Sequence, residues 1–502
     1  MNLQNIPTRV YVFALILLCF ITRLPQLLSP DLLLDGDECI LGLMTKHLSQ
    51  GKEIPVYFYG QSYGFSLLEE AFGAIGFIIF GVNAIALRCS LLLLWSVGIV
   101  FFFLSFLQLT NKKNAIIITL LLLLIPAWAI GSMKARGGYI TAFTLTNIII
   151  YCLLKAKESP SLILSIVIGI ITYFIYISRP FWIPGLLPVF FYIYLWKKNF
   201  VGLLMLIAGG FITFIIIKYT IPNNYVYWEP KLLLERNYFD AIKDIPSRIY
   251  YNVTGSYCLE QNIGLGFFDR ITSYIWDVIL ILLFLVQGYR IIKARYNALS
   301  SIFCLSIILT LFYLPFFTNK YGARYLLPYS QLLILWLGVE IIDFIKEKRF
   351  RIMIYYFSIA LYIFCCGALI EFKDFNFMPT VKENISEQKS MDALVSYLKE
   401  NGVNSAFAID GMFQWMFTFY SNEGIICRWK SDKDRYPIYP EMVDKAFKEN
   451  KPVALIWSNE EFYKLAHNPA IANNVVVIGD RYYVVLNPTK DFLKSLDFQF
   501  ND

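Results

Sequence analysis

The sequence predicts an α-helical polytopic membrane domain of about eleven transmembrane helices, followed by a small C-terminal α/β soluble domain. Three observations predict it. Of 502 residues, 57% are hydrophobic and only 16% charged, against roughly 25% charged in an ordinary soluble domain. The apolar residues fall in blocks of about 17–22, the length a helix needs to cross a hydrocarbon core. After Glu371 the blocks stop and the composition becomes that of a soluble protein. The expected division is therefore 1–372 for the membrane domain and 373–502 for the soluble one.

The first block follows Arg9, runs through Val10–Phe20 and continues towards Leu28. No small-residue cleavage site follows it, so it reads as an uncleaved span rather than a signal peptide. The expected spans are 10–28, 86–107, 114–132, 139–154, 161–178, 181–196, 200–217, 274–292, 299–317, 325–345 and 352–370. Ser66–Leu107 is long enough for two spans, and loop charge decides between one and two. If 67–84 does not cross, one side holds Arg9, Lys112, Lys113, Lys155, Lys157, Lys197, Lys198, Arg290, Lys293, Arg295, Lys346, Lys348, Arg349 and Arg351. The other side's short loops hold only Lys134, Arg136, Arg179, Lys320 and Arg324. That asymmetry is the positive-inside pattern. Leu67–Phe80 is then a helix at the interface, with Glu69 and Glu70 at a wet end. The chain is expected in the cell membrane as a multi-pass protein. Its N-terminus is cytoplasmic, and the loops 29–85 and 218–273 and the C-terminal domain lie outside.

Several functions are disfavoured. The formal charge of +7 comes from basic residues in short inter-span loops, which topology explains, so no nucleic-acid partner is expected. Nine cysteines without a CxxC, and two histidines (His47, His467), form neither a zinc signature nor a disulfide framework. No inverted repeat is evident, and Asp277, Glu340 and Asp343 lie near span ends, which weakens an ion-coupled carrier.

In the C-terminal domain, 386–401 has the spacing of an amphipathic helix (Met391, Leu394, Val395, Leu398), stopped at Gly402. Ser405–Ile409, Ile425–Trp429 and Val453–Trp457 read as strands, alternating with helices at Met412–Tyr420 and Tyr439–Glu449. Residues 474–478 and 481–486 read as a hairpin around Gly479-Asp480. The alternation predicts a small α/β layer fold. Without a glycine-rich phosphate loop, nucleotide binding there is not expected.

The most informative stretch is Leu34-Asp35-Gly36-Asp37-Glu38, just after the first span on the expected outer side. A helix-compatible run follows from Cys39 to Leu48, then an aromatic and glycine-rich segment from Pro55 to Gly64. One reading is structural: acidic residues cap the next helix and favour its dipole. Another is a D-x-D metal site of the nucleotide-sugar type, but such donors are cytoplasmic and this loop is expected outside.

A third reading comes from order along the chain. A first span, an outer loop with Asp-Glu at a helix start and a Gly about a dozen residues on are followed by Gly60-Gln-Ser-Tyr63 with Ser66-Leu-Leu-Glu69. Ala86-Leu-Arg88, Lys134-Ala-Arg136-Gly-Gly-Tyr139 and Gly322-Ala-Arg324-Tyr-Leu-Leu-Pro328 come next. Over residues 1 to about 345 this order resembles the polytopic GT-C glycosyltransferases that use lipid-phosphate sugars. The branch it resembles is the bacterial one with protein mannosyltransferase-like and aminoarabinose transferase-like enzymes. Asp434-Arg-Tyr-Pro437 also looks like the tail domain of some such proteins.

The resemblance implies a GT-C-like membrane fold. The implied reaction moves a sugar from a polyprenyl-phosphate donor to a glycan, lipid or protein acceptor on the outer face of the bilayer, with inversion. Asp37 is implied as the catalytic base, with Glu38 orienting the acceptor or supporting Asp37, and Asp35 as an extra carboxylate near the substrate. The basic residues of the short outer loops, Arg136, Arg324, Lys134, Lys320 and Arg179, are candidates for the leaving phosphate; snorkelling or lipid-headgroup contact is their alternative. Tyr63, Tyr139 and Tyr325 are candidates for lining the sugar site, or else interface anchors. No cofactor is expected. A divalent metal near Asp35, Asp37 and Glu38 is compatible with their charge but not favoured by the resemblance. The competing function is a non-catalytic transporter or flippase of a lipid-linked glycan. Convergence of Asp37, Arg136 and Arg324 at the outer end would favour the enzyme.

Overall fold

A computed structural model of the chain describes residues 6–28, 33–156, 160–220, 238–243, 245–246, 249, 266–295, 297–313, 323–371, 387–458, 474–479 and 481–500. Each expected span finds a helix. By length and composition, five of the described helices can cross a membrane: Ala84–Leu107, Phe200–Thr220, Phe267–Ile292, Arg324–Lys346 and Phe350–Glu371. Thr8–Ile21, Tyr139–Lys155, Leu162–Ser178, Pro180–Trp196 and Ala298–Tyr313 are shorter apolar helices.

Two expected spans are broken, for identifiable reasons. The apolar run 114–132 is helical only over Lys112–Leu124, because Ile125 precedes Pro126 and takes an extended ψ of 128°. A residue before proline is pushed out of the helical region. The run 10–28 is interrupted after Ile21, and Arg23 sits at the break with no exposure. Its guanidinium donates to the carbonyls of Leu123 (3.0 Å) and Trp128 (3.2 Å) and to Ser132 Oγ (3.0 Å). A buried charge is tolerated only with such partners, and the Leu123 carbonyl is one that the helix end before Pro126 leaves free. In the segment 181–196, Pro188 lies inside the Ile183–Phe190 helix, and the chain continues as a π-helical turn over Phe191–Trp196.

Small residues bring helices together. A Cβ on Gly169 would lie 2.0 Å from Leu206 O, and one on Gly209 2.3 Å from Ile166 O. The Leu162–Ser178 and Phe200–Thr220 helices therefore touch backbone to backbone, the usual packing of small residues between membrane helices.

The C-terminal domain holds a five-stranded sheet, β1 Ser405–Ala408, β2 Ile426–Arg428, β3 Val453–Trp457, β4 Val475–Ile478 and β5 Tyr482–Leu486, in the order β2-β1-β3-β5-β4. β1 runs parallel to β2 and β3, while β5 is antiparallel to β3 and β4. The helices Gly411–Tyr420 and Ile438–Lys448 cross between the parallel strands. The β4–β5 hairpin turns through Gly479 at φ +58°; Asp480 lies outside the described residues.

Candidate active site

The site is built on the helix Gly36–Ser49. Asp35 is its N-cap and takes the Glu38 N–H at 3.0 Å, while Glu38 Oε2 takes the Asp35 N–H at 3.1 Å. This reciprocal capping box satisfies two of the backbone donors that a helix start leaves free. Two of the three carboxylates thus have a structural use, and Asp37 has none in the cap.

The segment Lys134–Gly138 supplies the positive charge. Lys134 Nζ, 3% exposed at its side chain, stands 2.8 Å from both Asp35 Oδ2 and Glu38 Oε2. Arg136 forks across Asp35 and the third carboxylate: Nη1 reaches Asp37 Oδ2 at 2.9 Å and Nη2 reaches Asp35 Oδ2. Glu38 is fully buried and lies 3.8 Å from Arg88 as well. Burial alone would raise the Asp35 carboxyl, but Lys134 and Arg136 outweigh it and hold the group well below the usual carboxylate range. The Asp37 side chain keeps 23% of its exposure. It is therefore an ionic group with a fixed partner and an open side.

Next to this segment stands Glu69, which the sequence leads one to expect at a wet helix end. The structure corrects this: Glu69 and Glu70 are both fully buried. Glu69 Oε1 accepts the N–H groups of Gly138 (2.9 Å), Ile140 (3.2 Å) and Thr141 (3.2 Å). It thereby caps the Tyr139–Lys155 helix from a neighbouring element, since the N-cap Gly138, at φ +93°, has no side chain to do so. Burial pushes the Glu69 carboxyl up to about 7, against the pull of these donors and of Arg179. The run Leu67–Phe80 is a helix over the expected residues, but it was the solvent exposure of its start that failed.

Beyond Arg136 lies a group of arginines and rings. Arg179 donates to the Arg136 carbonyl and stands 4.0 Å above the Tyr139 ring. Tyr139 packs on Phe181 at 5.7 Å, and Phe181 meets Tyr325 edge-on at 5.5 Å. Arg324 lies 5.1 Å over the Tyr325 ring. The charges of Arg179, Arg324 and Arg136 all act on the Tyr139 phenol. Tyr63 joins the group: burial pushes its phenol up to about 12, opposed by Arg179 and Arg435 and aided by Tyr325 and Tyr139. The structure thus brings together Asp35, Asp37, Glu38, Lys134 and Arg136, and beside them Arg179, Arg324, Tyr63, Tyr139 and Tyr325. Lys320 lies outside the described residues. Among the described residues no group of three or more His, Cys, Asp or Glu is arranged to hold a metal ion.

The C-terminal domain closes over the same helix. A Cβ on Gly36 would lie 2.8 Å from Met412 Sδ, and one on Gly42 2.5 Å from the Phe419 ring. At the far end of the helix, His47 Nδ1 lies 2.7 Å from Tyr59 Oη and 3.0 Å from Glu53, and Nε2 lies 2.9 Å from Glu423. Lys46 pairs with Glu423 at 2.7 Å, and Tyr439 donates to it at 2.9 Å. Sequence reading missed this clamp, because Glu423 is nearly four hundred residues from Lys46 and carries no motif. Glu69 and Arg435 lie in stretches that carry the resemblance, Ser66–Glu69 and Asp434–Pro437, but nothing in those stretches gave either residue a role, and Glu423 left no local signal beyond its charge.

The arrangement of helices and terminal sheet domain is the GT-C fold. Solved structures with this fold match nearly the whole chain. ArnT from Cupriavidus metallidurans in the apo state aligns with a TM-score of 0.61 at 12% identity, covering 98% of this chain and 99% of that one. The same protein bound to undecaprenyl phosphate aligns at 0.59 with 11% identity, covering 96% and 98%. The Archaeoglobus fulgidus oligosaccharyltransferase, in complex with zinc and sulfate, aligns at 0.54 with 12% identity, covering 90% of this chain and 69% of that one. No protein-family model matches the sequence, and no curated protein matches it. The chain is thus a multi-pass membrane protein with a GT-C glycosyltransferase-like fold.

Proposed function

We propose that the protein transfers a sugar from a polyprenyl-phosphate donor to a glycan, lipid or protein acceptor at the outer face of the membrane, with inversion. The observation that carries this reading is the division of labour among three adjacent carboxylates. Asp35 and Glu38 are used in the cap and by Lys134, whereas Asp37 is fixed by one arm of Arg136 and keeps an open side. Asp37 takes the proton of the acceptor hydroxyl, the acceptor oxygen bonds to the anomeric carbon, and the bond from that carbon to the phosphate oxygen breaks. The leaving polyprenyl phosphate keeps the electron pair. The phosphate is assigned to Arg179 and Arg324, which lie over the rings of Tyr139 and Tyr325. Guanidinium suits that task because its planar fork binds two oxygens. Lys134 is assigned to holding Asp35 and Glu38, and Glu38 to fixing the helix start that carries Asp37. The structure of ArnT with undecaprenyl phosphate supports a lipid phosphate as ligand of this fold.

In the test, purified protein is incubated with a panel of polyprenyl-phosphate sugars and with acceptors extracted from the cell envelope. Asp37→Asn is expected to reduce transfer by at least about 100-fold, the scale of a lost general base, with unchanged expression and melting. Full activity in that variant would remove the proposed base. Movement of a lipid-linked glycan without formation of a glycosidic bond would replace the enzyme with a carrier.

A further inference from the structure

Arg435 stands on the loop Asp434–Pro437 of the C-terminal domain, before the Ile438–Lys448 helix. The loop is locked at both ends. Buried Asp434 accepts the Gln414 side-chain amide at 2.6 Å and the N–H of Arg435. Tyr436 stacks on Tyr59 at 4.8 Å and lies 5.4 Å from His47. Between these anchors the Arg435 stem crosses Gly60 of the outer loop. A Cβ on Gly60 would lie 2.8 Å from Arg435 Cα, Cβ and Cγ, and Gly60 itself sits at φ +72°. Only glycine leaves room for the arginine there.

The guanidinium lies 5.6 Å over the Phe58 ring. Its Nη1 is buried and makes no hydrogen bond among the described residues. A desolvated charged donor is costly to leave without an acceptor, so this nitrogen points to an anionic ligand. Its surroundings name the ligand's place. The Phe58 ring that Arg435 covers packs on Gly137, where a Cβ would lie 2.9 Å from Phe58, and the preceding Arg136 carbonyl accepts Arg179; Arg435 and Arg179 also act on the same Tyr63 phenol. Among the described residues neither Arg179 nor Arg435 pairs with a carboxylate. The three carboxylates Asp35, Asp37 and Glu38 already have three cations, Lys134, Arg136 and Arg88.

We infer that Arg435 is a ligand of the donor's phosphate, delivered by the C-terminal domain, so that docking of this domain on the outer loop completes the phosphate cradle. The inference rests on the lipid-phosphate donor proposed above. It assigns the soluble domain a part in donor binding, beyond covering the membrane part or meeting an acceptor.

The test measures binding of undecaprenyl phosphate and of uncharged undecaprenol to the full-length protein in detergent. Wild type is expected to prefer the phosphate. Arg435→Ala and Arg435→Gln are expected to lose about tenfold of that preference, the size of one charge-assisted hydrogen bond, with undecaprenol affinity and melting unchanged. Arg435→Lys keeps the stem and the charge but not the fork; it is expected to retain part of the preference and serves if the other variants do not fold. An undiminished preference in the folded variants, while Arg324→Ala loses it, overturns the role of Arg435 and leaves the donor reading standing. No preference in wild type overturns the donor reading and this inference with it.

Discussion

At the scale of single residues, capping and chemistry divide one short acidic run between them. In Asp35-Gly-Asp-Glu38 the first and fourth residues are spaced to cap a helix, and they do. That leaves the third, on the first turn, to face outward while the helix dipole favours its charge. The same geometry makes Lys134 a structural cation. Lys134→Ala would strand the buried Glu38 and unbalance Asp35, and loss of one partner of a buried pair costs about 3–5 kcal/mol. A large fall in melting temperature is expected, with Glu38→Gln in the same background restoring part of it. Equal melting of Lys134→Ala and wild type would show that the pair contributes nothing. The motif order pointed to Asp37 and Arg136, but that Arg136 binds Asp37 directly was not legible, because the two are 99 residues apart and only packing joins them.

At the scale of elements, hydropathy found a helix for each expected span but not where each one breaks. Pro126 and Arg23 end two of them, and the two breaks are solved together, one supplying carbonyls and the other a guanidinium. Glu69 shows the same economy, since it caps a helix to which it does not belong. Its carboxyl, ordinarily near 4.5, is raised to about 7 by burial, so the folded state favours the protonated form. Its contribution to stability is full below about 4.5 and is lost as pH rises through about 7. Glu69→Gln keeps the acceptor oxygen and removes the titration. Between about pH 5 and about pH 8 the melting temperature of wild type is expected to fall more than that of Glu69→Gln, and parallel curves would refute the assignment. Glu69→Ala is expected to lower melting at every pH, because three helix-start N–H groups lose their acceptor.

At the scale of the whole molecule, the soluble domain is tied at both ends to the helix that carries Asp37, by Gly36 against Met412 and by His47 and Lys46 against Glu423. Burial would lower the His47 ring, but Glu423 and Glu53 outweigh it and raise it above its ordinary value of 6.5. His47 and Lys46 in turn hold Glu423 far below its ordinary 4.5. The His47 contribution is therefore complete below about 6.5 and is lost as pH rises through its higher folded value. The Glu423 contribution is present above 4.5 and is lost only in strong acid. The clamp is tightest in mildly acidic solution. Hydrogen exchange in Gly36–Ser49 is expected to quicken as pH rises above neutrality, after correction for intrinsic exchange. That excess should vanish in His47→Gln, and its persistence there would exclude the histidine as cause. Gly42→Leu would drive a side chain into Phe419 and is expected to separate the domains, read as faster proteolysis of the C-terminal domain.

By itself the sequence determined the features that composition and period control: the apolar blocks, the alternation that builds the sheet, and the acidic helix start after the first span. Hydrophobic burial and backbone hydrogen bonding act locally along the chain, so their pattern is written in consecutive residues. Only the tertiary structure decided which charges meet. Lys134 went to Asp35 and Glu38, Arg136 to Asp37, Glu69 to a foreign helix start, and Arg435 to the space above Gly60. A buried charge must find its partner wherever packing places one, and that distance in space has no counterpart in the order of residues.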